Sequence, residues 1–387
     1  MNNFSELTQD EAILLITQHL GLKNPTSSIE ATEISDGNLN IVYRVQDRST
    51  CNSFIVKQAP PYIRVIGKSW PLTQQRIVME VNTLKYFKKF SPNNIVTVLS
   101  FDALRFTMVM EDLTNCITWR QALIDQYFSC EIAKKIGQCM ADIYYYSSNF
   151  YLSHQDKLQL ELKFYSEEMC ATTVKVFFID PYQDCELNNI NPELFNEVNI
   201  MRNNYILLNK VKLLNKTFNS KRQALLHGDF HTGSVMISNN TCKLIDAEFG
   251  FFGPIGFDIG TLIGNLLLNY CSYAKDDIYL AKKRLIDIEN LWKYFVNGFN
   301  ENAINKVDVD LFLNDIWKDT LGFAGAEMIR RIIGIAHVDD INSIVIEKDL
   351  LYAQNLALKI GQSLILDACR VTNIEMLLFN ITSLTKR

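Results

Sequence analysis

The pattern of apolar residues along this chain changes once, near residue 113. Before that point, short segments alternate apolar and polar residues or are rich in β-branched side chains, as strands are. Five segments of this kind are predicted to be strands: 28–34, 41–46, 51–58, 95–101 and 105–111. Segment 74–90 instead repeats apolar residues every three or four positions and predicts a helix. Residues 1–113 are therefore expected to form one compact β-rich lobe.

The rest of the chain, residues 114–387, is predicted to be mainly helical. Apolar residues recur at helical spacing in four long segments, 131–149, 193–215, 276–299 and 308–335. The exception is 224–245, where two short β-like runs flank polar residues. At 387 residues the chain is too long for one ordinary core. The expected architecture is an α+β fold of two lobes, a small β-rich N-terminal lobe and a larger, mainly helical C-terminal lobe.

Charge, cysteine usage and hydropathy narrow the possible functions. The formal net charge is −5, and no segment has the clustered basic residues that nucleic-acid binding needs. The nine cysteines include no C-x-x-C pair, so we expect free thiols in a reducing compartment. The N-terminus lacks the basic start of a signal peptide and predicts an amphipathic helix that ends at Gly21. No run approaches the ~18 apolar residues of a membrane span, so we expect a soluble, cytoplasmic protein.

Two loops carry the residues that most restrict the chemistry. His-Gly-Asp at 227–229 and Asp-Ala-Glu at 246–248 each follow an apolar, strand-like run. Phosphoryl transfer needs a carboxylate to orient the attacking hydroxyl group and further carboxylates to hold Mg²⁺. Asp229 fits the first requirement, and Asp246 with Glu248 fits the second, because alternate residues of a strand share a face. Taken singly, each side chain could simply cap a loop, whereas together they predict a kinase.

These two loops also resemble motifs of the aminoglycoside-phosphotransferase and choline-kinase branch of the protein-kinase-like fold. Further strings make the chain similar to the 5-methylthioribose kinase family over nearly its whole length, and the ordered set is specific. The strings are DGNLN (36–40), VKQAPPY (56–62), GKSWPLT (67–73), MEDL (110–113), HGDFHTGS (227–234), GFDIG (256–260) and EMIRR (327–331). The resemblance implies that a homodimer uses ATP and Mg²⁺ to phosphorylate the anomeric hydroxyl of 5-methylthioribose, a step of methionine salvage.

Two rival functions stay open beside this one. The chain could be another hydroxyl kinase of the same branch, acting on aminoglycosides, choline or homoserine. It could also be a nucleotide-binding pseudokinase that serves as a scaffold for partners, although Lys57, Asp229 and Asp246 are all present. Cationic substrates need an acidic pocket, whereas the EMIRR string offers two arginines.

Several residues are candidates for the ATP site. Lys57 ends an apolar run and would place its ammonium group on the phosphates, with Glu80 as its ion-pair partner. Further residues that the resemblance assigns to ATP are Asn40, Glu111, Asp112, Leu113, Asp246, Ala247 and Glu248. In the linker 111–113 the contacts would come from the main chain, so side-chain changes at Glu111 and Leu113 should be tolerated. A solvated lysine, a surface glutamate and a plain hairpin turn are the alternatives for Lys57, Glu80 and 36–40.

Arg330 and Arg331 are the candidate contacts to the sugar, and the resemblance implies that an arginine donates to its hydroxyl groups. Adjacent helical residues point ~100° apart, so only one of the two is expected to face a given pocket. A surface salt bridge is the alternative for the pair. Ser234 stands where the wider kinase fold has a metal-binding Asn. Glu248 is therefore expected to take over part of that role.

Four further residues surround these motifs. His227 is expected to position the catalytic loop by hydrogen bonding, and Asp258 to brace that loop from a helix start. His231 could face the substrate or not, and the sequence does not decide. Trp70 lies in the long segment 60–73, where it could approach the nucleotide or seal the core between the lobes.

Overall fold

The computed structural model describes residues 4–21, 28–34, 39–64, 66–239, 241–303 and 306–386. Strands in the N-terminal third are β1 (Ile29–Glu33), β2 (Ile41–Asp47), β3 (Asn52–Gln58), β4 (Tyr62–Ile63), β5 (Gly67–Pro71), β6 (Val98–Asp102) and β7 (Thr107–Glu111). Five of them form an antiparallel sheet in the order β1-β2-β3-β7-β6, and β4 pairs with β5 in a separate hairpin. All five predicted strands are confirmed, and the hairpin is an addition to them. The predicted turn at 36–38 lies outside the described residues.

Alternation along β3 gives the sheet two different faces. Val56 lies in a small core that helix α1 (Gln9–His19) covers. Ile55 belongs instead to the main core of the molecule, to which helix α2 (Gln75–Lys88) contributes. Because side chains two residues apart share a face of a strand, Lys57 extends on the α2 side of the sheet. The strand pattern therefore decides which helix supplies the partner of Lys57.

Residues beyond the sheet are mainly helical, as predicted. The helices are α3 (Trp119–Ile124), α4 (Cys130–Tyr145), α5 (His154–Lys163), α6 (Glu167–Val174), α7 (Phe195–Arg202), α8 (Tyr205–Ser220), α9 (Ile255–Tyr273), α10 (Ile278–Asn302), α11 (Lys306–Ile333), α12 (Asp339–Asn342), α13 (Glu347–Asp367) and α14 (Ile374–Thr385). Short strands among them are β8 (Ile117–Thr118), β9 (Ala224–Leu225), β10 (Val235–Ile237), β11 (Cys242–Leu244) and β12 (Phe252–Gly253). They pair as β11-β10-β8 and β12-β9, and these pairings carry the two carboxylate loops.

One predicted helix, 193–215, is wrong as a single element. The chain forms α7 and then α8, and the break lies at 203–204. The side chain of Asn204 accepts hydrogen bonds from the backbone N–H groups of Ile206 and Leu207. An asparagine at this position caps a new helix better than it continues an old one, because its side chain competes for backbone donors. Apolar periodicity runs across the break and conceals it.

Helix α9 lies in the centre of the C-terminal region and packs against α11 at close range. Every residue of 255–271 is buried. At Gly260 an added Cβ would lie 2.6 Å from the backbone oxygen of Thr320 on α11, so only glycine permits this approach. The close packing holds α11 firmly, and α11 carries Arg330 and Arg331 near its C-terminal end.

The chain thus has the predicted α+β architecture, a small β-rich N-terminal lobe followed by a larger, mainly helical C-terminal lobe. The last sheet strand, β7, ends at Glu111, and the next strand, β8, pairs with β10 of the helical region. The division into residues 1–113 and 114–387 stays a prediction. Of the helices within the described residues, none combines the length and apolar composition that crossing a membrane requires.

Candidate active site

A buried carboxylate fixes the loop that carries Asp229. Asp258, in the first turn of α9, accepts hydrogen bonds from the backbone N–H groups of His227 at 2.7 Å and Gly228 at 3.0 Å. The hydroxyl of Tyr144 donates to the same carboxylate at 2.8 Å. Gly228 has φ +84°, and a Cβ there would lie 2.0 Å from the backbone oxygen of Phe249. The expectation that Asp258 braces this loop is confirmed.

His227 joins the two loops. Its Nε2 lies 2.7 Å from the backbone oxygen of Ile245, which can only accept, so Nε2 carries the proton. Its Nδ1 lies 3.4 Å from the backbone N–H of Asp229. The predicted positioning role of His227 is therefore confirmed, because one imidazole ring ties the residue before Asp246 to Asp229 itself.

Ser234 is used within the turn that follows Asp229. Its buried hydroxyl lies 2.8 Å from the backbone oxygen of His231 and 3.2 Å from that of Asp229, and it accepts the backbone N–H of His231 at 3.0 Å. These contacts account for Ser234 as a turn residue. The metal-binding role that an asparagine has at this position in the wider kinase fold would therefore fall to another side chain.

The second loop differs from the expected geometry. Strand β11 ends at Leu244, and Asp246 has φ +63°, in the left-handed region that few residues other than glycine adopt. The prediction that Asp246 and Glu248 share a face because they alternate along a strand is therefore wrong. A short polar side chain tolerates this conformation better than most. The backbone turns here, and the turn places both carboxylates near Lys57. Each of them raises the pKa of that lysine.

A buried ammonium group stands between carboxylates. Lys57 is 3% exposed, and its Nζ lies 2.9 Å from the carboxylate of Glu80 on α2 and contacts Oδ1 of Asp246. Burial by itself lowers the pKa of Lys57, but Asp246, Glu80 and Glu248 together raise it above its ordinary value. Burial raises the pKa of Glu80, against the effect of Lys57. The predicted partners Lys57 and Glu80 are brought into contact.

Glu248 is buried and held from the N-terminal lobe. Its Oε2 accepts a hydrogen bond from Nδ2 of Asn40 at 3.1 Å and lies 3.2 Å from Nε of Arg76. Asn40 is itself 4% exposed, and its Oδ1 accepts from Nη2 of Arg76 at 3.1 Å. Asn40 thus acts on Glu248 as well as being a candidate nucleotide contact. Arg76 was absent from the predicted site.

The carboxylates of Asp246 and Glu248 have the chemistry of a magnesium site that ATP completes. Across the described residues, no three His, Cys, Asp or Glu side chains are grouped so that they could hold a metal ion. Mg²⁺ normally takes one or two carboxylates and completes its shell with phosphate oxygens and water. About half of the Asp246 side chain is exposed (47%), so its carboxylate is open to a ligand. The donor set therefore fits a metal that arrives with a nucleotide.

Three cationic or titratable side chains surround Asp229. Nη2 of Arg330 lies 3.7 Å and Nη2 of Arg331 4.0 Å from Oδ1, while Nε2 of His231 lies 3.4 Å from Oδ2. Burial raises the pKa of Asp229, but His231, Arg331 and Arg330 outweigh it and hold the pKa well below its usual range. Burial lowers the pKa of His231. Asp229 is therefore an ionised acceptor within reach of donors.

Both arginines face Asp229, so the expectation that only one would do so is wrong. The cause is Glu327, one turn earlier on α11 and fully buried. Its Oε1 lies 2.7 Å from Nε of Arg331, and its Oε2 contacts Nε of Arg330. Asn265 of α9 donates to Oε1 at 2.7 Å. Glu327 holds each guanidinium by its Nε and leaves the Nη ends directed at Asp229.

The sequence could have indicated Glu327, because a glutamate three and four residues before two arginines forms ion pairs on one helix face. Arg120 was also missed. It lies on α3, donates to Oδ1 of Asn265 at 2.8 Å and pairs with Asp340 at 3.1 Å. No local pattern marks Arg120, since its partners lie more than a hundred residues away.

The linker residues have engaged side chains. Both oxygens of Glu111 accept from Nζ of Lys243 at 2.7 Å, and Oε1 also accepts from the backbone N–H of Thr97 at 2.6 Å. Asp112 pairs with Arg44 at 2.8 Å. The expectation that Glu111 tolerates side-chain change stays a prediction, although its carboxylate links the sheet to β11. Leu113 packs against the main core.

Trp70 lies on the β4–β5 hairpin and reaches the helical lobe. Nζ of Lys175 stands 5.1 Å from the centre of the Trp70 rings, within range of a cation–π contact. At the base of the hairpin, the backbone N–H of Thr73 donates to Glu168 at 2.9 Å. Both contacts cross from the hairpin to residues 168–175 of the C-terminal lobe.

Comparison with known proteins identifies the relatives. No family model matches the chain. The methylthioribose kinase of Yersinia enterocolitica is 39% identical over 395 residues, which cover 98% of this chain and 99% of that protein. The methylthioribose kinase of Klebsiella pneumoniae strain 342 is 39% identical over 397 residues, with the same coverage of both chains.

The solved structures are less similar to this chain in sequence than the methylthioribose kinases are. An ethanolamine kinase of Plasmodium vivax shares 13% identity and covers 92% of this chain and 86% of its own, with a TM-score of 0.48. A choline/ethanolamine kinase family protein of Mesorhizobium loti shares 11% identity and covers 98% and 99%, also with a TM-score of 0.48. The full-length sequence matches at 39% identity are what define the family. The chain belongs to the methylthioribose kinase family.

Proposed function

We propose that the chain transfers the γ-phosphoryl group of ATP to the anomeric hydroxyl of 5-methylthioribose. The observation that carries the proposal is the approach of Arg330 and Arg331 to Asp229, in a loop that His227 ties to the Lys57–Asp246 pair. This arrangement offers hydroxyl-directed donors and an ionised acceptor beside a phosphate-binding ammonium group. The relatives named methylthioribose kinase support the choice of sugar.

Asp229 is proposed as the catalytic residue. Its depressed pKa keeps it ionised at neutral pH, so it can orient the sugar hydroxyl, and it takes the proton as the phosphoryl group is transferred. The hydroxyl oxygen then bonds to the γ-phosphorus while the bond from that phosphorus to the bridging oxygen breaks. ADP leaves with the bond electrons, and the proton passes to Asp229.

Lys57, Asp246 and Glu248 are proposed to hold the phosphates and Mg²⁺. Lys57 would exchange its contact with Asp246 for the α- and β-phosphates while Glu80 keeps it in place. Asp246 and Glu248 would be the protein ligands of Mg²⁺, which when bound neutralises charge on the phosphate oxygens. The remaining nucleotide contacts we propose are Asn40, Glu111, Asp112, Leu113 and Ala247.

Replacing Glu248 by Gln should raise the half-saturating Mg²⁺ concentration about 10- to 100-fold, the usual effect of disturbing a metal's coordination shells. The amide keeps the shape of the side chain and removes the charge. The measurement is the initial rate against Mg²⁺ at saturating ATP. Glu347→Gln, an exposed glutamate on α13, should leave the curve unchanged. A Glu248→Gln enzyme that is folded and has normal Mg²⁺ dependence would remove Glu248 from the metal site.

The hydrogen-bond donors near Asp229 disfavour the rival kinases for cationic substrates. Arg330, Arg331 and Arg120 lie at this end of the site, each largely buried and paired with Glu327 or Asp340. An ammonium group of choline or an aminoglycoside could not accept a hydrogen bond from these donors. A neutral polyhydroxyl substrate would instead accept hydrogen bonds from the same groups.

A substrate panel tests the proposed function. ADP release is measured with 5-methylthioribose, ribose, an aminoglycoside and choline under one set of conditions. We expect kcat/KM for methylthioribose to exceed that for ribose at least ~10-fold, since an apolar substituent in its pocket contributes about that much discrimination. Preference for ribose, choline or the aminoglycoside would overturn the choice of substrate.

The family resemblance also carries three broader proposals. The chain acts as a homodimer, it works in the cytoplasm in methionine salvage, and its lobes divide at residues 113 and 114. The first is tested by light scattering of the purified chain, where a mass near twice 44.5 kDa is expected.

A further inference from the structure

Arg76 is a fully buried arginine whose Nε lies 3.2 Å from Oε2 of Glu248. It lies in the first turn of α2 and is 0% exposed. Its Nη1 donates to the backbone oxygens of Pro60 at 2.8 Å and Thr73 at 2.7 Å. Its Nη2 donates to the backbone oxygen of Leu39 at 3.0 Å and to Oδ1 of Asn40 at 3.1 Å.

These contacts converge on three separate elements. Pro60 and Thr73 are the two ends of the segment that carries Trp70, residues 39–40 belong to the candidate nucleotide turn, and Glu248 belongs to the opposite lobe. Thr73 adjoins the start of α2, but Pro60, Asn40 and Glu248 lie on other elements. The planar fork of Arg76 therefore links Asn40 and Glu248, which the proposed function assigns to ATP and its metal, to the segment that carries Trp70.

Arg76 also compensates the negative charge of a carboxylate in this region. Three carboxylates, Glu80, Asp246 and Glu248, share this region with two cations. Lys57 pairs with Glu80 and Asp246, so Arg76 is the cation that compensates Glu248. Without Arg76, the Glu248 carboxylate would keep only the Asn40 amide as its contact from the N-terminal lobe and would be free to move.

We propose that Arg76 is a positioning residue that holds Glu248 in place for the metal, and couples that position to the Trp70 hairpin and the Asn40 turn. The inference rests on the proposed function. It adds a residue that acts on the metal through Glu248 and does not itself touch nucleotide or sugar.

The test separates charge from geometry. Arg76→Lys keeps a cation but loses the two separate Nη groups, of which one reaches Pro60 and Thr73 and the other reaches Leu39 and Asn40. Asn40→Ser removes the amide between Arg76 and Glu248 while keeping the guanidinium. Gln75→Ala, at the exposed neighbouring position of α2, is the matched control.

The readout is binding of Mn²⁺, measured by electron paramagnetic resonance with a non-hydrolysable ATP analogue and no sugar. The Kd for Mn²⁺ should rise at least ~10-fold in Arg76→Lys and to a smaller extent in Asn40→Ser, as for other residues that orient metal ligands. Binding of the analogue without metal, followed by calorimetry, should change less than twofold in Arg76→Lys, and Gln75→Ala should match the parent chain.

Several outcomes would overturn the inference. One is an unchanged Kd for Mn²⁺ in a folded Arg76→Lys chain, even if its melting temperature falls. If Arg76→Lys does not fold, Asn40→Ser decides, and an unchanged Kd there has the same meaning. In Arg76→Lys, an equal loss of Mn²⁺ binding and of metal-free nucleotide binding would also count against the inference. Because no turnover is measured, an error in the proposed sugar would leave these results intact.

Discussion

Asp229→Asn is expected to lower kcat about 10²- to 10⁴-fold, the range that a general base contributes. The amide keeps the size of the side chain but is a poor proton acceptor. ATP binding should stay within about twofold of the parent, because Lys57 is the proposed phosphate contact and Asp246 and Glu248 the proposed Mg²⁺ ligands. The measurements are steady-state ADP release and calorimetric titration of the ATP analogue.

A matched control is Asp276→Asn, an exposed aspartate between α9 and α10. It should leave both kcat and ATP affinity unchanged. Removing the charge of Asp229 also leaves Arg330 and Arg331 less compensated, so the melting temperature is recorded for each variant. Undiminished turnover by a folded Asp229→Asn chain would refute the catalytic assignment.

Local patterns predicted the elements that depend on neighbours in sequence. The apolar run that ends at Lys57 marked β3, and the apolar repeat of 74–90 marked α2. Glu80 was named as the partner of Lys57 because of the expected kinase-like role of that lysine, and the structure brings the two side chains into contact.

The residues that sequence missed owe their roles to contacts between distant segments. Arg76 and Glu248 lie 172 positions apart, and only the closure of one lobe on the other brings them together. The positive φ of Asp246 was hidden because the strand pattern before it continues past the end of β11. Apolar periodicity across 203–204 likewise concealed a helix break that a side-chain cap decides.

Arg330 and Arg331 show both what the sequence predicted and what it missed. The pair itself was identified from the EMIRR string, but the geometric rule for adjacent helical residues favoured one arginine over the other. Long side chains override that rule, since Glu327 pairs with both Nε atoms and the Nη ends converge. The partner that makes the convergence possible stood three residues away in the same string.

Glu327→Ala should destabilise the chain by about 3–5 kcal/mol, the usual cost of removing one partner from a buried ion pair. Burial and the guanidinium of Arg331 already lower the pKa of Arg330 to about 10, and Glu327 opposes both effects. Without it, two buried guanidinium groups would repel each other, and the amide of Asn265 would lose its acceptor. The loss is measured by urea unfolding at pH 7.

The sign of the pH dependence follows from the ion pairs. Burial raises the pKa of Glu327, but Arg330 and Arg331 outweigh it and bring the pKa below its ordinary value. A carboxyl group whose pKa falls on folding stabilises the folded chain above its unfolded pKa and loses that contribution as pH drops through the folded pKa. The difference between the parent and Glu327→Ala should therefore persist at neutral pH and shrink only under strongly acidic conditions.

Two further variants separate stability from sugar recognition. Glu301→Ala, at an exposed position near the end of α10, should change the free energy of unfolding by less than about 0.5 kcal/mol. Glu327→Gln keeps the side-chain shape but not its charge, so the Nη groups should lose their fixed direction toward Asp229. For that variant we expect KM for the sugar to rise about 10-fold or more, while KM for ATP is unchanged. If Glu327→Gln binds sugar and ATP as the parent does, the guanidinium groups are oriented by the surrounding helices rather than by Glu327.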